Sequence, residues 1–394
     1  MTNIAILGFG VVGGGVADLL TENKKETELF GKDEINIKYI LDLRDFPASP
    51  FGDRVLHDFG VILADKEISV VIETMGGSHP AYEYTVAALK AGKSVITSNK
   101  EVVANYGDEF LALAKEYGVS YRFEAAVGGG IPVLSPIIHS VRQNKILEVR
   151  GILNGTTNYI LTQMFTYGKS FEEALAEAQE KGYAERNPDA DILGHDACRK
   201  IAILTALVTG KLIPTDKIHT EGIVKVRSAD VIAAESVGCT IKLVGRCITA
   251  DKPTVMVAPF LVPMELPLSN VSGVYNAVEV VAEPLDNVMF YGRGAGAGAT
   301  ASAVVGDLME TMLLGNLGMP AFEKSSETSD FENFESQRYL AFPKSEEALV
   351  KEIFGNSANY IEGEECALLT EALTEAEVKF KTEKLTVLSH IRML

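Results

Sequence analysis

The chain has 394 residues, long for one domain and comfortable for two or three. With 47% apolar and 23% charged residues it can bury a sizeable core, which excludes a mainly disordered protein. Lys and Arg number 36 against 54 Asp and Glu, a formal charge of −18 with no Lys/Arg-rich run, so the composition argues against nucleic acid or an anionic membrane as partner. No stretch of about 18 uncharged apolar residues suggests a spanning helix. The N-terminus lacks a basic leader region, and Cys198, Cys239, Cys247 and Cys366 form no CxxC pair. Reduced thiols in a cytoplasmic protein are the expectation.

In chain order, the first 130 residues alternate short apolar runs with helical patterns, the rhythm of βαβ units and a parallel sheet. Ile4–Leu7 reads as a strand, followed by a glycine turn, a helix near Val11–Leu20 and a second strand at Ile35–Leu41. Ser69–Glu73, Ser94–Thr97 and Ser120–Phe123 read as further strands, with helices near Tyr82–Lys90 and Asp108–Tyr117 between them. After Pro132 an α+β rhythm takes over. It has a strand at Ile146–Leu153, helices near Thr157–Thr166, Phe171–Lys181 and Asp191–Val208, and strands near Lys242–Ile248, Thr254–Leu261, Ala277–Ala282 and Val288–Tyr291. GRGAGAGATAS (Gly292–Ser302) opens another helix, Ala303–Leu314, and the acidic, serine-rich Glu323–Ser336 reads as a linker. The last residues follow the order βαββαβ, a ferredoxin-like pattern.

Gly8, Phe9, Gly10, Val11, Val12 and Gly13 form a GxGxxG between a strand and a helix. The first glycine permits the turn, the second lets the backbone approach a pyrophosphate, and the third allows close strand–helix packing. The alternative is a glycine turn with no ligand. Asp42, 29 residues beyond Gly13, stands where the second strand should meet the adenosine ribose. The polar stretch Thr21–Glu34 accounts for the extra length. Asp42 favours the 2′-hydroxyl of NAD, whereas Arg44 could pair with the 2′-phosphate of NADP. The two point opposite ways, with the balance slightly toward NAD and the coenzyme otherwise open.

A second constellation lies further on. Asn154-Gly155-Thr156-Thr157-Asn158 sits between a strand and a helix, where free N–H groups and hydroxyls could hold a carboxylate, although an N-cap explains it equally. Tyr183 and Glu185 end a helix, Asp191 follows, and Asp196 and Lys200 lie at i and i+4 on one helix face. Such a pair is most often a surface salt bridge. Here the helix continues IAILTALV, and a charged pair on a buried helix is costly unless it serves a site. Lys100, after a predicted strand, falls at the carboxyl edge of the parallel sheet, where ligands bind. His195 points about 100° away from its neighbour Asp196 and receives no catalytic role.

GFGVVGGG, ETMGG (Glu73–Gly77), SNKEVVA (Ser98–Ala104), FEAAVGGGIP (Phe123–Pro132), NGTTNYIL, GYAERNPDADILGHDACRKIAIL (Gly182–Leu204) and FYGRGAGAGATAS, in this order, resemble the homoserine dehydrogenase family. The resemblance spans residues 1–320 and implies interconversion of L-homoserine and L-aspartate 4-semialdehyde. It implies an α/β fold with a Rossmann-type dinucleotide domain (1–132, with the helix 299–318 packed back on it) and an α+β substrate and dimerisation domain (133–298). A linker (319–336) and a shortened ACT-like regulatory domain (337–394) follow. By resemblance, Lys200 is the acid–base residue, Asp196 and Glu185 bind the substrate ammonium, and Lys100 lies between nicotinamide and substrate. Tyr183, Asp191, Asn154, Gly155 and Thr156 complete the substrate pocket. Phe9, Val11, Val12, Thr74, Gly76 and Gly296 line the dinucleotide. A lysine near pKa 10.4 needs desolvation or a cationic neighbour to serve as acid–base. The family also implies a monovalent cation, usually sodium, on the Glu124 carboxylate and the carbonyls of Val127, Gly129 and Ile131, oxygen ligands that suit a hard cation. The bland reading is that Glu124 caps or bridges the fold. A homodimer or homotetramer is expected. Two other classes compete: a semialdehyde dehydrogenase acting through a thiolate, and a non-catalytic dinucleotide sensor.

Overall fold

The computed structural model describes residues 1–31 and 34–394, so Lys32 and Asp33 of the polar stretch after the first helix lie outside the described residues. The chain forms two compact units. The first comprises Met1–Lys145, Ala202–Pro214 and Gly292–Ser325; the second comprises Ile146–Ile201, Thr215–Tyr291 and Ser326–Leu394.

The chain opens with β1 (Thr2–Leu7), α1 (Val11–Glu22), α2 (Lys24–Gly31), β2 (Ile35–Leu41), β3 (Val55–Leu56), α3 (Phe59–Ala64) and β4 (Ile68–Glu73). It continues with α4 (Ala81–Lys90), β5 (Ser94–Thr97), α5 (Lys100–Tyr117) and β6 (Tyr121–Arg122). The six strands are parallel in the order β3-β2-β1-β4-β5-β6, the doubly wound arrangement that binds dinucleotides where the strand order reverses. Ile4, Ala5, Ile6 and Leu7 are all buried, as a strand covered on both faces requires.

The second unit begins in β7 (Lys145–Ile152), then α6 (Gly155–Tyr167), α7 (Phe171–Glu180), α8 (Asp189–Ile192), α9 (His195–Thr209, which from Ala202 on belongs to the first unit) and α10 (Ser228–Ser236). It goes on through β8 (Cys239–Ile248), β9 (Thr254–Pro263), β10 (Tyr275–Glu283) and β11 (Asp286–Arg293). α11 (Ala297–Leu314) belongs to the first unit, where Ala301, Val304, Val305 and Leu308 pack with Val16, Ala17 and Leu20 of α1. A Cβ on Gly15 would sit 3.3 Å from the Ala301 Cβ, so the glycine sets how closely the two helices approach. The chain ends with β12 (Arg338–Phe342), α12 (Glu347–Phe354), β13 (Asn359–Ile361), β14 (Cys366–Leu369), α13 (Glu375–Thr382) and β15 (Ser389–Met393). The main sheet of the second unit runs β11-β10-β7-β8-β9-β15-β12-β14-β13. β15 pairs parallel to β9 through Phe260↔Arg392 and Leu261↔Met393, so the βαββαβ tail extends this sheet.

Several boundaries differ from the sequence reading. Asp191–Val208 is two helices, broken at Gly194, whose φ of +84°, with a Cβ there meeting the Glu221 carbonyl at 3.1 Å, suits glycine. The apolar periodicity runs through the break and hides it. α5 starts at Lys100, eight residues early, because the Asn99 side chain accepts from the Glu101 and Val102 N–H groups. α3, capped by Asp58, and α10 went unread. Residues read as a linker contribute short strands, Glu323–Lys324 beside Lys211–Leu212 and Glu335–Ser336 beside Leu373–Thr374.

At Gly13 a Cβ would lie 2.0 Å from the Gly8 carbonyl oxygen and 2.8 Å from Thr74 Oγ1. Gly13→Ala must push α1 off β1, and we expect a loss of about 1–3 kcal/mol. Thermal denaturation with and without dinucleotide measures it, and an unchanged melting temperature with intact dinucleotide binding contradicts it.

Candidate active site

In the first unit the glycine turn follows from backbone geometry. Gly8 has φ +89°, and its N–H donates to the Leu41 carbonyl at 2.8 Å. Gly10 precedes α1 with no side chain capping the helix, and a Cβ there would meet nothing within 4 Å. Uncapped N–H groups facing open space are what a pyrophosphate needs. Gly296, φ +119°, opens α11 in the same uncapped manner. A cleft of about 500 Å³ is lined by Gly8, Gly10, Asp42, Arg44, Thr74 and Gly76 of the expected residues. Phe9, edge-on to Phe46 and Phe51, Val11, Val12 and Gly13 belong to the turn and helix start themselves.

Asp42 and Arg44, set against each other in the sequence reading, pair. Asp42 Oδ1 accepts from the Arg44 N–H and Nε, both at 3.0 Å; Oδ2 accepts from the Phe9 N–H at 2.8 Å and Arg44 Nη2 at 3.1 Å. The Arg44 guanidinium holds the Asp42 carboxyl down at about 2. His57, unflagged by the sequence, also lines the cleft. Its Nδ1 meets the Asp42 carbonyl at 2.6 Å and its Nε2 meets Asp45 Oδ1 at 3.1 Å. An imidazole with an acceptor at each nitrogen is best satisfied as the cation.

A second feature beneath this cleft was missed. Glu73, at the end of β4, is fully buried; Oε1 accepts from the Met75 N–H at 2.7 Å and Oε2 from Thr97 Oγ1 at 2.5 Å. Thr97 Oγ1 in turn accepts from the Asn99 N–H at 2.9 Å, and Asn99 caps α5, where Lys100 is the first residue. Burial pushes the Glu73 carboxyl up to about 7. The sequence signal was an acidic residue closing the apolar run SVVIE.

In the second unit Asn154, Asp191, Asp196 and Lys200 converge. Lys200 Nζ lies 2.9 Å from Asp196 Oδ2 and donates to the Leu153 carbonyl at 2.7 Å. Asn154 Nδ2 donates to Asp191 Oδ1 at 2.7 Å and Asp196 Oδ2 at 3.0 Å. All but Asp191 are buried, and desolvation raises the Asp191 carboxyl. Thr156 Oγ1 donates to the Tyr183 carbonyl at 2.6 Å, while a Cβ on Gly155 would lie 2.8 Å from the Val274 carbonyl. Glu185 is exposed, and among the described residues its carboxylate makes no hydrogen bond or ion pair, so it stands outside the network. His195 is exposed.

Glu124 behaves as a cap. Oε1 accepts from the Val133 and Leu134 N–H groups at 2.6 and 2.8 Å, and Oε2 from the Ser135 N–H at 2.7 Å. Its own N–H donates to Asp307 Oδ2 at 2.8 Å. Glu124, Asp307 and Glu310 lie together beside Arg122, which pairs with Glu310 at 2.7 Å, and His139 Nε2 lies 3.9 Å from Glu310. Burial pushes the Glu124 and Asp307 carboxyls up, toward their neutral forms. Among the described residues no group of three His, Cys, Asp or Glu side chains could hold a metal ion. All four cysteines are buried, and burial raises the Cys198, Cys239 and Cys366 thiols, which removes the basis for a thiolate nucleophile. No described helix is long and apolar enough to cross a membrane.

Residues 8–124 match the homoserine dehydrogenase NAD-binding domain and residues 132–309 the homoserine dehydrogenase family. The homoserine dehydrogenase of Synechocystis sp. is 41% identical over 312 residues, 78% of this chain and 72% of the relative; that of Lactococcus lactis is 40% identical over 314, covering 78% and 73%. The chain belongs to the homoserine dehydrogenase family. A crystal structure of a homoserine dehydrogenase from Thiobacillus denitrificans superposes with TM-score 0.91 at 33% identity, covering all of this chain and 98% of the other. A hyperthermophilic archaeal homoserine dehydrogenase mutant in complex with NADPH gives 0.69 at 29%, covering 82% and 99%. This family membership makes the chain an NAD(P)-dependent oxidoreductase.

Glu73 gives this member of the homoserine dehydrogenase family a pH signature. A carboxyl raised from 4.5 to about 7 binds more protons folded than unfolded, so its contribution to stability is full below about pH 4.5 and lost as pH rises to about 7. The ceiling is about 3 kcal/mol. Glu73→Gln is expected to flatten that slope in chemical denaturation between pH 4.5 and 7; a parallel slope in the variant contradicts it.

Proposed function

We propose that the enzyme interconverts L-aspartate 4-semialdehyde and L-homoserine, and that Lys200 is its acid–base residue. The observation that carries this reading is the Lys200 ammonium, buried on α9 and held between the Asp196 carboxylate at 2.9 Å and the Leu153 carbonyl at 2.7 Å. A nicotinamide dinucleotide held at the Gly8–Gly13 turn would supply the hydride for the aldehyde carbon, leaving negative charge on the substrate oxygen. Lys200 Nζ gives that oxygen its proton. In reverse, neutral Lys200 takes the hydroxyl proton as hydride leaves. Asp196 and Glu185 are assigned to the substrate ammonium, with Asp191, Asn154, Gly155, Thr156 and Tyr183 around it; Lys100 is assigned to the nicotinamide side.

For the coenzyme we favour NADP over NAD. Asp42 already accepts four hydrogen bonds and offers a 2′-hydroxyl little, whereas the exposed Arg44 guanidinium has donors for a 2′-phosphate and the acceptors around His57 push its imidazole toward the cation. A sodium ion is assigned to Glu124 and the carbonyls of Val127, Gly129 and Ile131, oxygen ligands that suit a hard cation. A cytoplasmic homodimer or homotetramer, with the tail as a shortened ACT-like domain, completes the reading.

Homoserine-dependent reduction of NADP should exceed that of NAD, and Lys200→Met should lower kcat by about 10²–10⁴-fold with the dinucleotide still bound. Unchanged turnover in the variant removes Lys200 as the acid–base residue, whereas no homoserine-dependent reduction of either coenzyme by the unaltered chain would leave the dinucleotide-sensor reading. For the cation, NaCl is expected to raise the melting temperature above that in choline chloride of equal ionic strength. Equal values remove the cation from the proposal.

A further inference from the structure

Glu73 closes β4 as a fully buried carboxyl of the first unit. Among the described residues its oxygens meet a backbone N–H and a hydroxyl rather than a cation. Burial without a counter-charge is costly, and it is what pushes this carboxyl up to about 7. A glutamine would fill the same volume without that cost. What it lacks is a second acceptor, and the acceptors are what Glu73 uses. Oε1 accepts from the Met75 N–H at 2.7 Å, and Oε2 accepts from Thr97 Oγ1 at 2.5 Å. An amide has one oxygen, so one of these two arms would lose its acceptor.

Each arm ends at a part of the proposed site. The Met75 arm holds a loop whose Thr74, Met75 and Gly76 line the dinucleotide cleft, while Glu73 itself does not line it. A Cβ on Gly8 would meet Met75 Cγ at 3.1 Å, so this loop abuts the glycine turn. The Thr97 arm continues to Asn99, whose N–H donates to Thr97 Oγ1 at 2.9 Å. Asn99 Oδ1 accepts from the Glu101 and Val102 N–H groups at 3.2 and 3.4 Å, which starts α5 at Lys100. Asn99 Nδ2 donates to the Gly77 carbonyl at 2.7 Å and closes a ring between the two arms.

We propose that Glu73 is a positioning residue for hydride transfer. Its carboxylate holds the Met75–Gly77 loop against the dinucleotide and, through Thr97 and Asn99, sets Lys100 on the nicotinamide side. The second half of this statement rests on the reaction proposed above; the first rests on the dinucleotide cleft alone.

NADPH is the probe, titrated into the full chain at about pH 8.5, where a carboxyl titrating near 7 is ionised, and followed by coenzyme fluorescence. Glu73→Gln should weaken NADPH binding about tenfold and lower kcat about 10–100-fold. The same variant should melt no lower than the unaltered chain at that pH, because its amide carries no charge to desolvate. Thr97→Val cuts one arm only. It should lower kcat about tenfold with NADPH affinity kept, and Thr97→Ser, which retains the hydroxyl, should restore turnover.

Unchanged affinity and turnover in folded Glu73→Gln overturn the proposal. A variant that melts lower and regains both on cooling makes Glu73 a structural residue, which overturns it equally. Equal turnover in Thr97→Val and Thr97→Ser removes the arm to Lys100. If the unaltered chain reduces neither coenzyme with homoserine, the reaction reading fails, and the NADPH titration of Glu73→Gln still decides whether this carboxylate holds the loop.

Discussion

One carboxamide organises the second unit's polar cluster. Asn154 has two donors and two acceptor positions, and all four are used. Oδ1 accepts from the Thr157 N–H at 2.8 Å and Thr157 Oγ1 at 3.0 Å, which caps α6; Nδ2 reaches Asp191 and Asp196. An aspartate there would bring a third negative charge beside two carboxylates, and an alanine would leave both those carboxylates and the helix end short of partners. Only an amide joins a donor-poor carboxylate pair to a donor-rich helix start. With Asp196 fixed in this way, Lys200 four residues on has its counter-charge, and the preceding residue, Leu153, supplies the second acceptor from the end of the β7 segment.

The first unit solves a related problem at the carboxyl edge of its parallel sheet. Glu73 is buried without a cation among its described partners, and its two oxygens tie down the Met75 N–H and, through Thr97, the Asn99 N–H. Asn99 Nδ2 also donates to the Gly77 carbonyl at 2.7 Å. The loop that lines the dinucleotide cleft and the loop that presents Lys100 are therefore fixed to one side chain. The desolvation that raises the Glu73 carboxyl is the energetic cost of that rigidity.

Much of this could be read from residue patterns. The strand–GxGxxG–helix start needs only a short segment, because each glycine answers to its own steric contact: Gly13 to Gly8 and Thr74, Gly8 to a positive φ. The i, i+4 spacing of Asp196 and Lys200 carries its own geometry. What stayed hidden depends on contacts distant in sequence. Gly194 takes a left-handed φ of +84° at the break, beside the Glu221 carbonyl and Thr220, which a side chain there would meet at 3.1 and 3.2 Å. Arg44 turns back on Asp42, which no spacing argument decides between two plausible partners. Glu124 reads as a loop carboxylate until its three N–H donors from Val133–Ser135 are seen. The extension of the main sheet by β15 depends on pairing with β9 more than a hundred residues earlier, which local periodicity does not encode.

An acidic chain that handles a phosphate-rich coenzyme looks contradictory only at the level of net charge. Potential at a binding site is set within about a Debye length, roughly 8–10 Å, and there the relevant groups are not the 54 acidic side chains but backbone dipoles. α1 presents an uncapped N-terminus with no acidic residue in its first turn, behind a Gly10 that leaves the approach open. α11 likewise starts uncapped with no acid in its first turn. Asp42, the acidic residue nearest the turn, is neutralised by Arg44 and bound by the Phe9 N–H. The remaining acidic surface then repels polyanions everywhere else, which narrows where a dinucleotide can settle without weakening the place built to receive it.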